Sequence, residues 1–392
     1  MGYCGRPRGK ITLSSPEFSV QSASTLEKPV QSTSKPIRLL IAASGTGGHV
    51  FPAIATAEQL PDYQIEWLGV PDRLETQLVG DPSKGGYPLH TIAVAGFQQK
   101  LGLGTLKVLL RLIGSIRQVR TLLKQGKFDG VFTTGGYIAA PAILAARSLG
   151  LPVILHESNA LPGKVTRWFA PWCSVVAIGF EAASRYLPRS KTICVGTPVR
   201  SQFRSALNDA ALEDLSIPKD VPLIVVVGGS QGAVALNKLV RKAAPAWFDA
   251  GAWVVHLTGD SDPDAQSLQH SQYVVLPFYD NMAVLFQRAN LAISRSGAGT
   301  LTELAITHTP SILVPYPFAA EDHQAFNAAV FAKAGAAEVE RQADLTPEIL
   351  ETQVLMMLKS PDRLQQMAKQ AASLAVVNSA EQLAQLIRQH LT

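Results

Sequence analysis

The chain has 392 residues, of which 47% are apolar and 17% charged, and 35 basic side chains stand against 30 acidic ones. This length exceeds what one ordinary hydrophobic core supports, so it predicts two domains. The net charge of +5 is too small to indicate nucleic acid as a main partner. Three cysteines without a CxxC pair argue against both a disulfide framework and a structural zinc site.

Residues 1–36 differ in composition from the rest of the chain. They are rich in Ser, Thr, Pro and Gln and contain two acids, Glu17 and Glu27. This composition predicts a disordered N-terminal extension. A Ser-rich, acid-poor transit peptide is the alternative, whereas a secretory signal would need a continuous apolar region after the basic start.

Strand, turn and helix patterns then follow one another along the chain. Residues 37–43 predict a buried strand, residues 44–48 a glycine-rich turn, and residues 52–60 a helix with Pro52 near its first turn. Residues 221–237 repeat the pattern, with a strand at 222–227 and a turn at 228–232. Alternating strands and helices predict an α/β class with parallel sheets. Further strands are predicted at residues 130–134, 153–155 and 291–294.

The repeat predicts two Rossmann-like domains that face each other across a cleft. The first spans residues 37–200 and the second residues 201–374, with the linker within 201–220. Residues 375–392 are helical in pattern, and the sequence leaves open whether they pack on the second domain or back on the first.

Glycine turns at four strand ends are candidate anion sites, because their N–H groups can approach a phosphate at a helix N-terminus. Ligands of such sheets bind outside the carboxyl ends of the strands. Neither main turn has the GxGxxG spacing of a dinucleotide fold or the Walker A spacing, which disfavours an NAD enzyme and a P-loop enzyme. Turns that serve only helix packing are the alternative.

Three side chains near these turns carry candidate chemistry. His49 follows the first turn, where a helix N-terminus disfavours imidazolium and suits a general base; capping or packing is an equal alternative. Glu157 follows a strand end where the cleft is expected, and an ordinary loop acid is its alternative. Glu303 follows the turn at 295–300, where a carboxylate can accept both ribose hydroxyls or simply favour the helix N-terminus.

Two further segments need an interpretation. The acidic residues 260–264 lack the Gly and Glu of an EF-hand, so no metal site is predicted. Residues 97–124 combine apolar and basic side chains without an acid, as in helices that lie on anionic membranes; a surface helix packed on its own domain is the alternative. The residues singled out for the membrane are Lys100, Leu106, Lys107, Leu110 and Arg111.

Six motifs together carry a resemblance to a known family. They are residues 45–52 (GTGGHVFP), 135–137 (GGY), 156–159 (HESN), 228–233 (GGSQGA), 295–298 (RSGA) and 322–324 (DHQ). In this order and spacing the chain resembles the MurG family over about residues 37–390. That family transfers N-acetylglucosamine from its UDP donor to the 4-hydroxyl of undecaprenyl-diphospho-N-acetylmuramoyl-pentapeptide (lipid I), which gives lipid II for peptidoglycan synthesis.

The resemblance implies a GT-B fold, an inverting mechanism, no cofactor, and a peripheral location on the cytoplasmic face of an anionic plasma membrane. It makes His49 the leading base, with Glu157 orienting or replacing it. It assigns Glu303 to the ribose, Ser230 to the diphosphate and the Tyr279 backbone to uracil, with Arg200 nearby. The other implied substrate contacts are Thr46, Gly47, Gly48, Asn159, Ala298, Gly299, Thr300, Leu301, Thr302 and Gln324, with Gly135, Gly136 and Tyr137 on the acceptor side.

The chain departs from the family pattern at Ser158, where Gln is common, and at Thr197, where Asn is common. Three rival functions remain: a glycolipid synthase that uses UDP-galactose and diacylglycerol, a UDP-N-acetylglucosamine 2-epimerase, and a non-catalytic nucleotide-sugar sensor. The motifs at 156–159 and 322–324 favour the peptidoglycan enzyme over the glycolipid synthase.

Overall fold

The computed structural model describes residues 35–80, 86–94, 103–203, 212–229 and 232–391, with side chains except at 103–109 and 213. Several predictions from the sequence therefore lie outside the described residues. These are the disordered extension up to residue 34, Lys100 and Ser230, and the side chains of Leu106 and Lys107.

The first half of the chain is built on a sheet of seven parallel strands in the order β3-β2-β1-β4-β5-β6-β7. The central strands read as unbroken apolar runs because helices cover both faces of the sheet. The strands are β1 (Arg38–Ala42), β2 (Gln64–Gly69), β3 (Leu89–Thr91), β4 (Gly130–Thr133), β5 (Val153–Glu157), β6 (Val175–Ile178) and β7 (Thr192–Cys194). The helices are α1 (Gly47–Ala57), α2 (Leu74–Leu78), α3 (Leu103–Gly126), α4 (Ala139–Arg147) and α5 (Lys164–Phe169).

The second half holds a sheet of six parallel strands in the order β10-β9-β8-β11-β12-β13. The prediction of an α/β fold with a parallel sheet in each half is confirmed. The strands are β8 (Leu223–Val227), β9 (Trp253–Leu257), β10 (Tyr273–Leu276), β11 (Leu291–Ser294), β12 (Ser311–Leu313) and β13 (Ala337–Val339). The helices are α6 (Val234–Asp249), α7 (Met282–Arg288), α8 (Ala298–Ile306), α9 (His323–Ala334), α10 (Pro347–Leu358), α11 (Pro361–Ser373) and α12 (Ser379–Leu391).

Helix α1 begins earlier than the sequence predicts. It starts at Gly47, so Pro52 lies inside the helix and not near its first turn. The prediction was wrong because the two glycines Gly47 and Gly48 were read as turn, although their backbone is already helical. The earlier start brings His49 into the first turn of the helix.

The last helix, α12, packs against the first half of the chain. Its Leu383 and Ile387 are fully buried in the same apolar cluster as Leu39 and Ile41 of β1. Arg388 forms an ion pair with Asp62, and its guanidinium lies 5.1 Å from the centroid of the Tyr63 ring. The domain boundaries after residues 200 and 374 stay predictions.

The two ends of helix α3 differ in burial. Val119 and Leu123 are buried in the core cluster of the first sheet, as expected of a surface helix that packs on its own domain. Leu110 and Ile113, nearer the start of the helix, are 60% and 37% exposed. Within the ranges that the structure describes, no helix has the length and apolar character needed to cross a membrane.

Candidate active site

The glycine turns lie at the two places where the strand order reverses. In the first sheet β1 and β4 are neighbours, and the chain leaves them towards α1 and α4 respectively. In the second sheet the same holds for β8 and β11, which lead to α6 and α8. Crevices outside the carboxyl ends of strands at such switch points are the usual ligand sites of this architecture.

His49 is held by the turn that follows β4. Its Nδ1 lies 2.7 Å from the carbonyl oxygen of Thr134, and the Thr134 hydroxyl donates to the His49 carbonyl at 3.0 Å. Because a carbonyl oxygen can only accept, Nδ1 must carry a proton. The neutral imidazole therefore keeps its lone pair on Nε2, as a general base requires.

The two glycines of the GGY motif lie directly against this imidazole. A Cβ on Gly136 would lie 3.7 Å from Nε2 of His49, and a Cβ on Gly135 would lie 3.7 Å from Cε1. The φ angle is 88° at Gly135 and 74° at Gly136, values that other residues rarely adopt. Glycine thus leaves room beside Nε2, and the neighbouring Tyr137 is 45% exposed.

Helix α1 begins without a side-chain cap. Thr46 is extended and makes no side-chain hydrogen bond to the helix, and both Thr46 and Gly48 are exposed. Gly47 is buried, and a Cβ there would lie 2.8 Å from the Phe51 ring. An uncapped helix start with small residues can accept an anionic group from outside.

Glu157 is buried and organises the loop that follows β5. One carboxylate oxygen accepts from the backbone N–H and the side-chain amide of Asn159, both at 3.0 Å. The other accepts from the Gly163 N–H at 3.1 Å. Both oxygens of the Glu157 carboxylate are engaged in the loop, whereas among the described residues no hydrogen-bond partner is found for Nε2 of the half-buried His49.

Helix α8 brings the predicted donor residues to the switch point of the second sheet. Gly297 precedes the helix without a capping side chain, and a Cβ on Gly299 would meet no atom within 4 Å. Leu301 is fully buried, and the hydroxyl of Thr302 donates to the Ala298 carbonyl at 2.9 Å. What this segment can offer a ligand is therefore mainly backbone N–H groups together with the half-exposed Thr300.

Glu303 is paired with Arg200. The Arg200 guanidinium lies 3.2 Å from the carboxylate and is stacked over Phe51 at 5.3 Å and Phe203 at 5.4 Å. Burial raises the pKa of Glu303 above its ordinary value, although the Arg200 charge and hydrogen bond act in the opposite direction. The structure thus brings together the two residues that the resemblance assigns to the nucleoside end of the donor.

Gln324 and Tyr279 each have one polar group already engaged. The Gln324 carbonyl oxygen accepts from the Ser296 N–H at 3.2 Å and the Tyr316 N–H at 2.9 Å, so its amide NH₂ is the end left to donate to a ligand. The Tyr279 hydroxyl donates to Asp214 at 2.9 Å, and burial followed by that carboxylate raises its pKa to about 12. The Tyr279 hydroxyl is therefore engaged within the protein.

Comparison with known proteins decides the family. The model of the glycosyltransferase family 28 N-terminal domain matches residues 39–178, and that of the family 28 C-terminal domain matches residues 223–385. The chain belongs to glycosyltransferase family 28. It is therefore a glycosyltransferase, and its two parallel sheets are the two domains of a GT-B fold.

Relatives and solved structures show which members of family 28 this chain is similar to. A UDP-N-acetylglucosamine–N-acetylmuramyl-(pentapeptide) pyrophosphoryl-undecaprenol N-acetylglucosamine transferase of Nostoc sp. strain PCC 7120 is 70% identical over 354 residues, which cover 90% of this chain and 98% of that protein. The crystal structure of Acinetobacter baumannii MurG is 30% identical, covers 90% of this chain and 100% of its own, and has a TM-score of 0.72. The resemblance to the MurG family is confirmed.

A solved UDP-N-acetylglucosamine 2-epimerase of Listeria monocytogenes also superposes on the chain. It has a TM-score of 0.65 at 13% identity and covers 91% of this chain and 97% of its own. At that identity the similarity shows the fold alone. The epimerase considered from the sequence thus shares the fold of this chain.

Sequence reasoning missed several buried polar residues of this family 28 chain. Glu75 is fully buried and accepts from the Val70 N–H at 2.9 Å and the Gly45 N–H at 3.2 Å, which ties the first glycine turn to β2. Asn327 is fully buried and contacts Asn159 and Ser296. A polar residue in an apolar helix pattern is the signal that could have drawn attention to Asn327; nothing near Glu75 in the sequence points to Gly45.

One of the acidic residues 260–264, Asp262, has a structural role. Asp262 is buried and forms two hydrogen bonds with Arg241, at 2.8 and 3.2 Å. Its partner is therefore a side-chain cation of the same chain. Over the described ranges, no three His, Cys, Asp or Glu side chains cluster in a way that could hold a metal ion.

Proposed function

We propose that this glycosyltransferase transfers N-acetylglucosamine from UDP-N-acetylglucosamine to the 4-hydroxyl of lipid I, giving lipid II with inversion at the sugar carbon. The names of relatives at 60 to 70% identity support donor and acceptor. The observation that carries the chemistry is the hydrogen bond from His49 Nδ1 to the Thr134 carbonyl, 2.7 Å long, which puts the lone pair on Nε2, next to two glycines.

The reaction is a single displacement. The acceptor oxygen attacks C1 of the donor sugar while Nε2 of His49 takes up its proton, and the bond from C1 to the diphosphate oxygen breaks with its electron pair leaving on UDP. The Thr134 carbonyl also stabilises the imidazolium that forms, because it accepts from Nδ1 throughout. No protein nucleophile is needed, and backbone N–H groups at the start of α8 and in the turn at 228–232 stabilise the departing charge.

The donor is held by the second half of the chain. Glu303 accepts the ribose hydroxyls, Gln324 donates its amide to the sugar, and the Tyr279 backbone binds uracil. The orientation of the Gln324 amide and the engaged Tyr279 hydroxyl support these roles. Arg200 shares Glu303 with the ribose, and Ser230 belongs to the diphosphate-binding turn.

The protein works as a peripheral enzyme at an anionic membrane on the cytoplasmic face, without nucleic acid as a partner. Leu110 and Ile113 are exposed on α3 beside Arg111 and Arg117, which supports contact with lipid. The pair Lys107→Glu and Arg111→Glu should reduce sedimentation with vesicles that contain phosphatidylglycerol. The pair Lys359→Glu and Lys369→Glu makes the same charge change on exposed residues of the second half and should leave sedimentation unchanged. Equal sedimentation of the two double variants would contradict the proposed contact between α3 and the membrane.

The deciding experiment for the reaction is transfer of radiolabelled N-acetylglucosamine from UDP to a short-chain lipid I analogue. We expect labelled disaccharide lipid and no product when UDP-galactose is the donor and diacylglycerol the acceptor. Product only in the second pairing would establish the glycolipid synthase. Binding of UDP without any transfer would establish a nucleotide-sugar sensor.

A further inference from the structure

The side chain of Asn327 joins the two halves of the chain. It belongs to α9 in the second half and is fully buried. Its Oδ1 accepts from the Ala160 N–H at 2.8 Å, in the loop after β5 of the first half. Its Nδ2 donates to Asn159 Oδ1 at 3.0 Å and to the Ser296 carbonyl at 3.1 Å.

The partners of Asn327 permit only one orientation of its amide. The Ala160 N–H can only donate, so it must face Oδ1, and the Ser296 carbonyl can only accept, so it must face Nδ2. Asn159 must then present its oxygen to Asn327 and its NH₂ to Glu157, which is the arrangement found, at 3.0 Å. A directional series of hydrogen bonds therefore runs from the turn after β11 to the carboxylate at the end of β5.

Both ends of this series touch the candidate site. Ser296 also donates its N–H to Gln324 Oε1 at 3.2 Å and its hydroxyl to the Gln324 carbonyl at 2.8 Å. Glu157 holds the loop that contains Asn159. Asn327 thus connects the segment that presents Gln324 to the segment that follows the first sheet.

Two other contacts between the halves are less constrained. Arg167 pairs with Glu321 at 2.6 Å, with 28% and 35% of these side chains exposed. The rings of Tyr186 and Phe326 meet edge to face at a centroid distance of 6.4 Å. An exposed ion pair and a ring contact tolerate small displacements, whereas a buried amide with three directional bonds does not.

We infer that Asn327 is a positioning residue that fixes the donor-binding half against the loop after β5, so that the sugar carbon and the acceptor hydroxyl meet at the distance the reaction needs. This inference rests on the proposed function. Displacements on the order of 1 Å can reduce turnover about 100-fold, because effective molarity falls steeply with misalignment. Asn327 acts without touching either substrate.

The test uses the full chain with Asn327→Asp, which keeps the shape and the bond from Ala160 but turns an oxygen towards the Ser296 carbonyl and Asn159 Oδ1. We expect kcat for transfer to fall about 10- to 100-fold, with the dissociation constants of UDP and UDP-N-acetylglucosamine unchanged. Arg167→Gln, the matched control at the same junction, should keep kcat within about twofold, as exposed pairs contribute little.

Two outcomes would overturn the inference: kcat unchanged, or affinity for UDP-N-acetylglucosamine lost in step with kcat. Should the aspartate variant fail to fold, Asn327→Ala gives the same readouts without the added charge. Amide exchange at Ala160 separates this inference from the proposed reaction. It should be faster in Asn327→Ala whatever the substrates are, and unchanged exchange would contradict the junction itself.

Discussion

At the scale of single residues, His49 shows how a backbone group selects a chemical role. The Thr134 carbonyl accepts from Nδ1, and the glycines at 135 and 136 leave space at Nε2. A residue with a Cβ at position 136 would meet the ring nitrogen and would also need a φ of 74°. The backbone carbonyl of Thr134 therefore selects the tautomer of His49, and the two glycines keep side-chain atoms away from Nε2.

We predict that His49→Ala retains UDP binding and loses transfer by about 10²- to 10⁴-fold, the usual contribution of a general base. Single-turnover transfer and UDP titration would measure the two effects separately. The control is His90→Ala, which removes a half-exposed histidine paired with Glu66. Turnover of His49→Ala equal to that of His90→Ala would exclude His49 as the base.

The burial of Glu303 makes the free energy of unfolding depend on pH. Its pKa is raised in the folded chain, so the folded state binds a proton more tightly than the unfolded state. The free energy of unfolding therefore falls as pH rises from the ordinary value of 4.5 through the higher folded pKa. Near neutral pH, above the ordinary value of 4.5, Glu303 therefore lowers the free energy of unfolding of the ligand-free protein.

Glu303→Gln should accordingly raise Tm of the ligand-free protein at neutral pH and flatten its dependence on pH, while weakening donor binding by about 1–3 kcal/mol. Thermal unfolding with and without UDP measures both. Glu348→Gln offers a control of opposite sign, because a hydrogen bond from Thr346 lowers the pKa of Glu348. A lower Tm for Glu303→Gln at neutral pH would contradict the assignment.

At the scale of elements, the loop after β9 is fixed to α6 by a buried network. Asn237 donates to the Thr258 carbonyl at 3.0 Å and to Asp262 at 2.7 Å, and Arg241 completes the ion pair. His256 donates from Nε2 to Asn237 Oδ1 at 3.1 Å and accepts at Nδ1 from the Tyr273 hydroxyl at 2.6 Å, and burial lowers its pKa to about 3. Thr258 in turn lies against Gly232, where a Cβ would be 2.5 Å from the Thr258 carbonyl oxygen, so the network also contacts the residue that precedes α6 by two positions.

We predict that Asp262→Ala lowers the free energy of unfolding by about 3–5 kcal/mol, since it leaves the Arg241 charge buried without its partner. Denaturant unfolding would measure the loss. Asp264→Ala, two residues away, removes an exposed pair with Lys238 at 3.6 Å and should cost about 0–1 kcal/mol. Equal losses for the two variants would mean that the buried pair contributes no more than the exposed one.

The strands and the buried polar residues differ in how far the sequence predicts them. Strands such as β11 were predictable because their apolar runs are local signals, and the glycine turns marked the ends of the strands that flank the site. The start of α1 was missed because glycines are ambiguous between turn and helix. Asn327 and Glu75 were missed because their partners, Ala160 and Gly45, are far away in sequence and are brought together only by the fold.

At the scale of the whole molecule, the first half is completed by the last helix. Leu383 and Ile387 of α12 are fully buried in the core of the first sheet. Leu383→Ala should lower the free energy of unfolding by about 2–5 kcal/mol, through lost burial and a cavity. In hydrogen exchange, the backbone amides of β1 and β2 should lose protection in this variant before those of β8 and β9.

The matched control for this prediction lies on the same helix. Arg388→Ala removes a partly exposed ion pair with Asp62 and should cost about 0–1 kcal/mol. Protection lost first in β8 and β9 would show that α12 supports the second sheet instead.

The position of α12 also affects how the chain is made. The seven strands of the first sheet are complete at Cys194, but Leu383 leaves the ribosome roughly 190 residues later. At about 5–20 residues per second, the nascent first half waits some 10–40 s with part of its apolar core exposed to solvent. In that interval it is a natural client for chaperones, and a stalled or prematurely terminated chain would release a half-molecule prone to aggregate.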